Sequence, residues 1–343
     1  MRVLLIIDPG ITVPPLKYGG HERLVYMMAM EYRSRGHEVD ILATRGSKVV
    51  GCKVISIGCQ GYPPRFITKY LALIKVWLYL FFKGGKYELI HNFGRLLFIL
   101  PVIRSKATKI MTYGREIVSR NIYYFNKLPT RNIVFTAASD WCVSTGNVSG
   151  KWITVYNCIE FNKYDLNVEK SDSKPLIFLS RLDRIKGAYD AIVVAKILGL
   201  KLIIAGNISN SQEEQDYFES VIKPEVDNIQ ICYVGSVNDE QKNMYLGASS
   251  VLLFPARTRE AFGMVMIEAM ACGTPVIAYN HSAMPEVIRH GETGFIVDDI
   301  EGMIDKVVAA QRLDRSRVRS IALQRFDSSV ISSEYLKLIA NND

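Results

Sequence analysis

At 343 residues, with 49% hydrophobic and 22% charged side chains, the chain is long enough for two domains of roughly 150 residues, each with its own core. That composition excludes a disordered, fibrous or disulfide-stapled chain. The net charge of +8 is unevenly spread: residues 1–165 hold 23 basic against 10 acidic side chains, residues 166–343 hold 19 against 24. A basic half meets anionic surfaces more readily than an acidic one, so the asymmetry bears on partners and not on fold.

The chain opens with a strand-like run, Val3 to Ile7, too short for a signal-peptide core before Asp8 interrupts it. A glycine loop, Tyr18-Gly19-Gly20, then precedes a helical stretch from His21 to Arg35, with Leu24, Met27, Met28 and Tyr32 apolar and Gly36 as its stop. Val39 to Ala43 read as the next strand, which completes a β-α-β unit. Phe66 to Lys83 combine Lys69, Lys75 and Lys83 with Trp77, Tyr79, Phe81 and Phe82, the composition either of a helix lying in a membrane interface or of a core-facing helix with solvated lysines. Arg95, Arg104, Lys106, Lys109, Arg115, Arg120, Lys127 and Arg131 follow within one short stretch and add to the basic character of this half. The six cysteines form no C-x-x-C pair and read as reduced thiols of a cytoplasmic protein. The longest uncharged run, residues 269–285, is broken by Gly273 and Pro275 and cannot span a lipid bilayer.

The alternation restarts after Ser171 to Pro175, with Leu176 to Leu179 as strand, Gly187 to Leu198 as helix and Leu202 to Ala205 as strand. The boundary is expected between residues 160 and 175, giving domains over 1–165 and 166–320 and a C-terminal helix over 321–343. Both are expected to be α/β with mainly parallel strands, which bind ligands at the carboxyl ends of those strands.

Four segments carry candidate chemistry. In the first, strand Val251 to Phe254 runs into a polar loop and a helix that begins near Gly263 and ends at Gly273. Glu260 precedes that helix and Glu268 lies inside it, roughly 7 to 8 Å along its axis at 1.5 Å per residue. The amides of Gly263, Met264 and Val265 lie between them, and a helix N-terminus favours a phosphate. A nucleotide sugar fits this segment, with its ribose on Glu268 and its hexose near Glu260; a surface loop before a core helix with a solvated Glu fits the spacing as well. In the second, Arg181 and Lys186 stand five apart on a strand-to-helix loop, where they can meet a diphosphate or simply be solvated. In the third, Gly19 and Gly20 allow close approach of a phosphate, or form an ordinary turn. The fourth is His91, at a strand end, which suits a structural role equally. G-x-G-x-x-G and Asp-x-Asp are both absent, which argues against a dinucleotide enzyme and against a carboxylate-held metal.

Taken in order, these segments resemble the retaining glycosyltransferases of the GT-B fold, in the large family four, over nearly the whole chain. The resemblance runs through Gly19-Gly20-His21-Glu22-Arg23, Arg35-Gly36-His37-Glu38-Val39, Asn157-Cys158-Ile159-Glu160, Arg181 to Gly187, Ala205-Gly206, Val234-Gly235, Glu260 to Glu268, Pro285-Glu286-Val287-Ile288 and Gly291 to Val297. It implies two Rossmann-like domains facing across a cleft, a nucleoside-diphosphate sugar donor held by the second domain, transfer with retention, and no metal or other cofactor. Carried over by position, Arg181 and Lys186 neutralise the leaving diphosphate and Glu260 contacts the donor sugar. Glu268 binds the ribose, Phe262, Gly263, Met264 and Val265 hold sugar and phosphate with Gly206 nearby, and Gly19 and Gly20 approach from the first domain. The stretch Arg325-Phe326-Asp327 resembles the last helices, which return to the first domain.

There are departures. Relatives often carry a His in a Thr-x-His-Gly-like stretch near the acceptor; here Met111-Thr112-Tyr113-Gly114-Arg115 places Tyr113 in that position. The family glycines before Arg181 and after Glu260 are Ser180 and Ala261. Acceptor-side candidates are therefore His91, Tyr113 and Arg115. The expected partners are a nucleotide sugar, an anionic or lipid-linked acceptor and the inner membrane surface, with no nucleic acid. A nucleotide-sugar epimerase and a nucleotide-sugar-binding subunit with weakened acceptor chemistry stand as alternatives.

Overall fold

The structure is a computed structural model that describes residues 1–15, 19–61, 63, 65–146, 150, 152–169, 174–257 and 259–340. Tyr18, expected in the first glycine loop, lies outside the described residues. The chain divides into two compact units, residues 1–159 with 328–343, and residues 160–327.

The first unit comprises β1 (Arg2–Ile6), α1 (Gly20–Ser34), β2 (Glu38–Thr44), β3 (Lys53–Gly58), α2 (Phe66–Lys83), β4 (Leu89–Asn92), β5 (Thr108–Tyr113), α3 (Ser119–Phe125), β6 (Ile133–Ala137), α4 (Asp140–Thr145) and β7 (Trp152–Thr154). Its strands form one parallel sheet in the order β3-β2-β1-β4-β5-β6-β7. Leu4 and Ile6 point to one face and Val3 and Leu5 to the other, and each set joins its own core cluster. That two-sided burial is why β1 reads as a continuous apolar run and not as an alternating one.

The second unit comprises β8 (Leu176–Leu179), α5 (Ala188–Leu198), β9 (Leu202–Ala205), α6 (Gln212–Tyr217), β10 (Ile231–Gly235), α7 (Asp239–Ala248), β11 (Val251–Phe254), α8 (Met264–Ala271), β12 (Val276–Tyr279), α9 (Met284–Val287), β13 (Gly294–Val297), α10 (Ile300–Gln311) and α11 (Arg315–Phe326). Its parallel sheet has the order β10-β9-β8-β11-β12-β13. In each sheet the order reverses once, between β1 and β4 and between β8 and β11, and loops leaving adjacent strands there diverge to leave a crevice.

The division falls at the near edge of the expected range. Residues 160–165 stay with the second unit because Phe161 is buried there and Arg319 donates to its carbonyl (2.8 Å) and to that of Tyr164 (2.6 Å). The return to the first unit is also later than position 321: α11 packs within the second unit, and only α12 (Ser328–Ala340) belongs to the first. Ser328 Oγ donates to Glu31 (2.6 Å), Arg35 donates to the Ser329 carbonyl (2.6 Å), and Tyr335 is buried against the sheet.

Among the described residues the cysteines form no disulfide; Cys142, Cys158 and Cys272 are buried and Cys59 is exposed. No helix of the described residues is long and apolar enough to cross a membrane. α2 does not face the core in the manner of an ordinary amphipathic helix. It buries only Ala72, Val76 and Leu80, while Phe66, Ile67, Tyr70, Leu71, Ile74, Leu78, Phe81 and Phe82 are all more than half exposed.

Candidate functional site

The loops after β8 and β11 carry the donor-side residues predicted from sequence, and neighbouring strands bring them together. Arg257 N donates to the Ile185 carbonyl (2.9 Å), which ties one loop to the other. Lys186 Nζ then pairs with Glu260 Oε2 at 2.6 Å, both side chains mostly buried. Arg181 is more exposed and pairs with Asp183 at 2.9 Å. Gly206, at the end of β9, has φ +148°, and a Cβ there would lie 1.7 Å from the Ser180 carbonyl oxygen, so only glycine lets this strand end approach the Arg181 loop so closely.

Gly263 is the N-cap of α8 at φ +81°, a left-handed conformation that turns the loop into the helix. The first amides of any helix have no intrahelical acceptor, and those of Met264 and Val265 belong to this first turn. The Phe262 ring is buried edge-on to Phe326 (centroids 5.5 Å apart), so its side chain serves the packing behind the loop.

Glu268 is buried within α8, where its Oε1 accepts from Lys242 Nζ (2.5 Å) and Tyr164 OH (3.0 Å). Burial first, then the Glu268 charge, raise the Tyr164 pKa, so this hydroxyl stays a donor. The carboxylate is thus an acceptor held by partners, and not a solvated side chain on an outer face. Sequence reasoning missed both partners, which lie 26 and 104 positions away with no local signal.

In the first unit, a cavity of about 720 Å³ lies at the carboxyl ends of β1, β4 and β5, where the strand order reverses. Tyr113 and Arg115 line it. Burial raises the Tyr113 pKa, so this phenol is protonated at neutral pH. Two further lining residues were not singled out from sequence: Asp8, just past β1, and His21, in the first turn of α1. His21 packs against Gly114, where a Cβ would come within 2.0 Å of Nε2. Burial and the Arg115 charge lower its pKa to about 4, so it is a neutral imidazole. The family His missing at position 113 thus has an imidazole beside it from another element. Gly19 caps α1 at φ +158°, and the space over Gly20 is open.

Two expectations are corrected. His91 does not line the cavity: it is fully buried, Nδ1 3.0 Å from Tyr32 OH and Nε2 2.9 Å from Thr112 Oγ1, with Phe93 stacked on its ring (4.0 Å). The cluster fastens α1 to the sheet, and Tyr335 of α12 packs on the same ring at 4.4 Å. Lys109 is no part of a basic surface either. It is buried in β5 and donates to the Ser105 carbonyl (2.8 Å), and burial lowers its pKa to about 8.

Residues 162–313 match the family described as glycosyl transferases group 1. Over this segment the chain is similar to the group 1 glycosyltransferases. It is 22% identical to the phosphatidyl-myo-inositol mannosyltransferase of Mycolicibacterium smegmatis over 98% of this chain and 93% of that one. A glycosyltransferase from Rickettsia africae superposes with a TM-score of 0.79 at 18% identity, covering 99% of this chain and 98% of that one. The Anabaena protein HepE, crystallised with UDP and glucose, superposes at 0.73 with 17% identity, covering 99% and 100%. These two likenesses establish the GT-B fold.

The buried histidines His21 and His91 give the stability of the chain a pH dependence. In the folded state His91 is lowered to about 3 and His21 to about 4, against roughly 6.5 unfolded. Their contribution is therefore fully present above pH 6.5 and is lost as pH falls through the window below it. Urea unfolding of wild type and His91→Asn between pH 6.5 and 4 checks this: wild type should lose stability more steeply, by up to about 1.4 kcal/mol per pH unit for the one group removed. Identical slopes would contradict it.

Proposed function

We propose that this chain moves a sugar, with retention and without a metal, from a nucleoside-diphosphate sugar to a glycan, polysaccharide or lipid-linked acceptor. The observation that carries the reading is the Lys186–Glu260 pair beside the first turn of α8. In it a cation for phosphate and a carboxylate for sugar hydroxyls neutralise each other. A bound donor separates the two roles: its diphosphate takes Lys186 and Arg181 together with the α8 amides, and Glu260 turns to the sugar hydroxyls. Glu268, held by Lys242, receives the ribose hydroxyls. HepE, crystallised with UDP and glucose, shares this fold and supports a nucleotide of that class here.

In the reaction the acceptor oxygen bonds to the anomeric carbon as the bond from that carbon to the diphosphate oxygen breaks. The electron pair leaves on the nucleoside diphosphate, which also receives the hydroxyl proton. Negative charge grows on the leaving group, and Arg181, Lys186 and the helix dipole are fixed where it grows. Two cations at this place do the work a divalent ion does elsewhere, which supports the metal-independent reading.

The first unit also supports a peripheral contact with an anionic membrane. The exposed apolar stripe of α2 is flanked by the exposed Arg65, Lys75 and Lys83. Cations near an anionic surface contribute about 1 kcal/mol each and are screened beyond a Debye length.

Two outcomes are expected. Calorimetry with UDP, GDP and ADP should find one tight ligand, with Glu268→Ala weakening it by about 1 to 3 kcal/mol. Glu260→Ala, Arg181→Ala and Lys186→Ala should instead cost roughly 100-fold in turnover with a labelled donor, undiminished by EDTA. Equal affinity losses in Glu260→Ala and Glu268→Ala would remove the role assignment, and interconversion of the donor sugar without acceptor would indicate an epimerase. Secondly, the full chain should co-sediment with phosphatidylglycerol vesicles in low salt and be released by high salt, with Phe81→Asp/Phe82→Asp weakening binding. Equal binding to neutral vesicles would contradict the membrane reading.

A further inference from the structure

The cavity of the first unit has two unlike ends. At the polar end, Asp8 Oδ1 is buried with no hydrogen-bond partner among the described residues, although Arg95 Nε lies 3.4 Å away within ion-pair range. The Asp8 side chain is otherwise 36% exposed, so this oxygen can accept from a donor in the cavity, and a sugar or polyol hydroxyl is such a donor. His21 stands in the same wall as a neutral imidazole, able to share the hydroxyls of one ring with Asp8. Besides Asp8, the charged lining residues are Arg95, Arg115 and Lys127 against one carboxylate, Glu116, and of these Arg115 and Lys127 are exposed.

The other end is hydrocarbon. Leu96, Leu97, Leu100, Val118 and Phe125 line it, and Leu97 and Val118 remain exposed at 49% and 63%. This wall is attached to α2: Trp77 Nε1 donates to the Leu97 carbonyl at 2.8 Å. The exposed apolar stripe of α2 and the apolar wall of the cavity are therefore joined through Trp77 and Leu97. A cavity that served only a water-soluble glycan would have no use for such a continuation.

We propose that this cavity is the acceptor site and that the acceptor is a phosphorylated lipid bearing a hydroxylated head. Its hydroxyls meet Asp8 and His21, its phosphate meets Arg115 and Lys127, and its chain follows Leu100 and Leu97 toward α2. The proposal rests on the transferase reading and selects the lipid-linked acceptor among those it allows. It also gives the departure at Tyr113 a physical sense. The imidazole at this site is supplied by α1, and the half-buried Tyr113 ring serves as wall.

The test is calorimetry on the full chain with farnesyl phosphate below its micelle threshold, inorganic phosphate, farnesol and, as a reporter of the second unit, UDP. Farnesyl phosphate should bind at 1:1 and at least 10-fold tighter than either inorganic phosphate or farnesol. Leu97→Asp and Val118→Asp, both at exposed positions, should weaken it at least 10-fold and leave UDP affinity within twofold. Phe82→Asp, on the α2 stripe but outside the cavity, should leave it within twofold. UDP binding together with farnesyl phosphate no tighter than inorganic phosphate overturns the lipid acceptor alone, as does equal binding by wild type and both cavity variants. Failure of UDP and every other nucleoside diphosphate overturns the donor reading, independently of the cavity result.

Discussion

The donor-side reading depends on where one eight-residue helix is held. α8 offers its first-turn amides at one end and Glu268 within, and neither is useful unless the helix is fixed relative to the β8 loop. Its carboxyl end is fixed by two arginines of α11. Arg315, itself buried, donates to the Ser249 carbonyl (2.9 Å), the Gly247 carbonyl (3.1 Å) and Thr274 Oγ1 (2.6 Å), and lies 3.4 Å from the Cys272 carbonyl. Arg319 donates to the Ala271 carbonyl and to the chain entering the unit at Phe161. Cations at a helix carboxyl end meet both its unpaired carbonyls and the negative end of its dipole. Burial lowers the Arg315 pKa to about 10, still far above neutrality, so the charge persists.

The two units solve different recognition problems with the same sheet. In the second, the crevice where strand order reverses is lined by charge in balanced pairs, Lys186 with Glu260 and Lys242 with Glu268. Such pairs hold their side chains in place and exchange one partner for a ligand at modest cost. In the first, the crevice is mostly apolar with an incompletely satisfied carboxylate at its end. Ligands that suit one do not suit the other, so the proposed nucleotide and the proposed amphiphile call for different linings.

Much of the fold was legible because parallel strands buried on both faces leave continuous apolar runs. Leu176–Leu179, Leu202–Ala205 and Val251–Phe254 have the expected bounds for that reason. The loop and helix from Glu260 to Glu268 were equally legible, since Glu260, Gly263 and Glu268 are close in sequence and one loop and one helix hold them. What was hidden depended on distance or on which way a side chain turns. Lys242 and Tyr164 reach Glu268 from other elements, Asp8 and His21 line the same cavity as Tyr113 and Gly114 from beyond β1 and from α1, and no local pattern marks them. His91 and Lys109 sit on strands next to cavity residues, and alternation along β4 and β5 turns them into the core. The late return at Ser328 was hidden too, because α11 and α12 are both helical and only their packing partners differ.

Backbone amide hydrogen exchange with and without saturating UDP tests the donor site most directly, because it reads the α8 first turn itself. Slower exchange over residues 260–268 and 181–187, with residues 113–128 unchanged, is the predicted result. Saturable UDP binding that leaves the exchange of residues 260–268 unaltered would contradict the account.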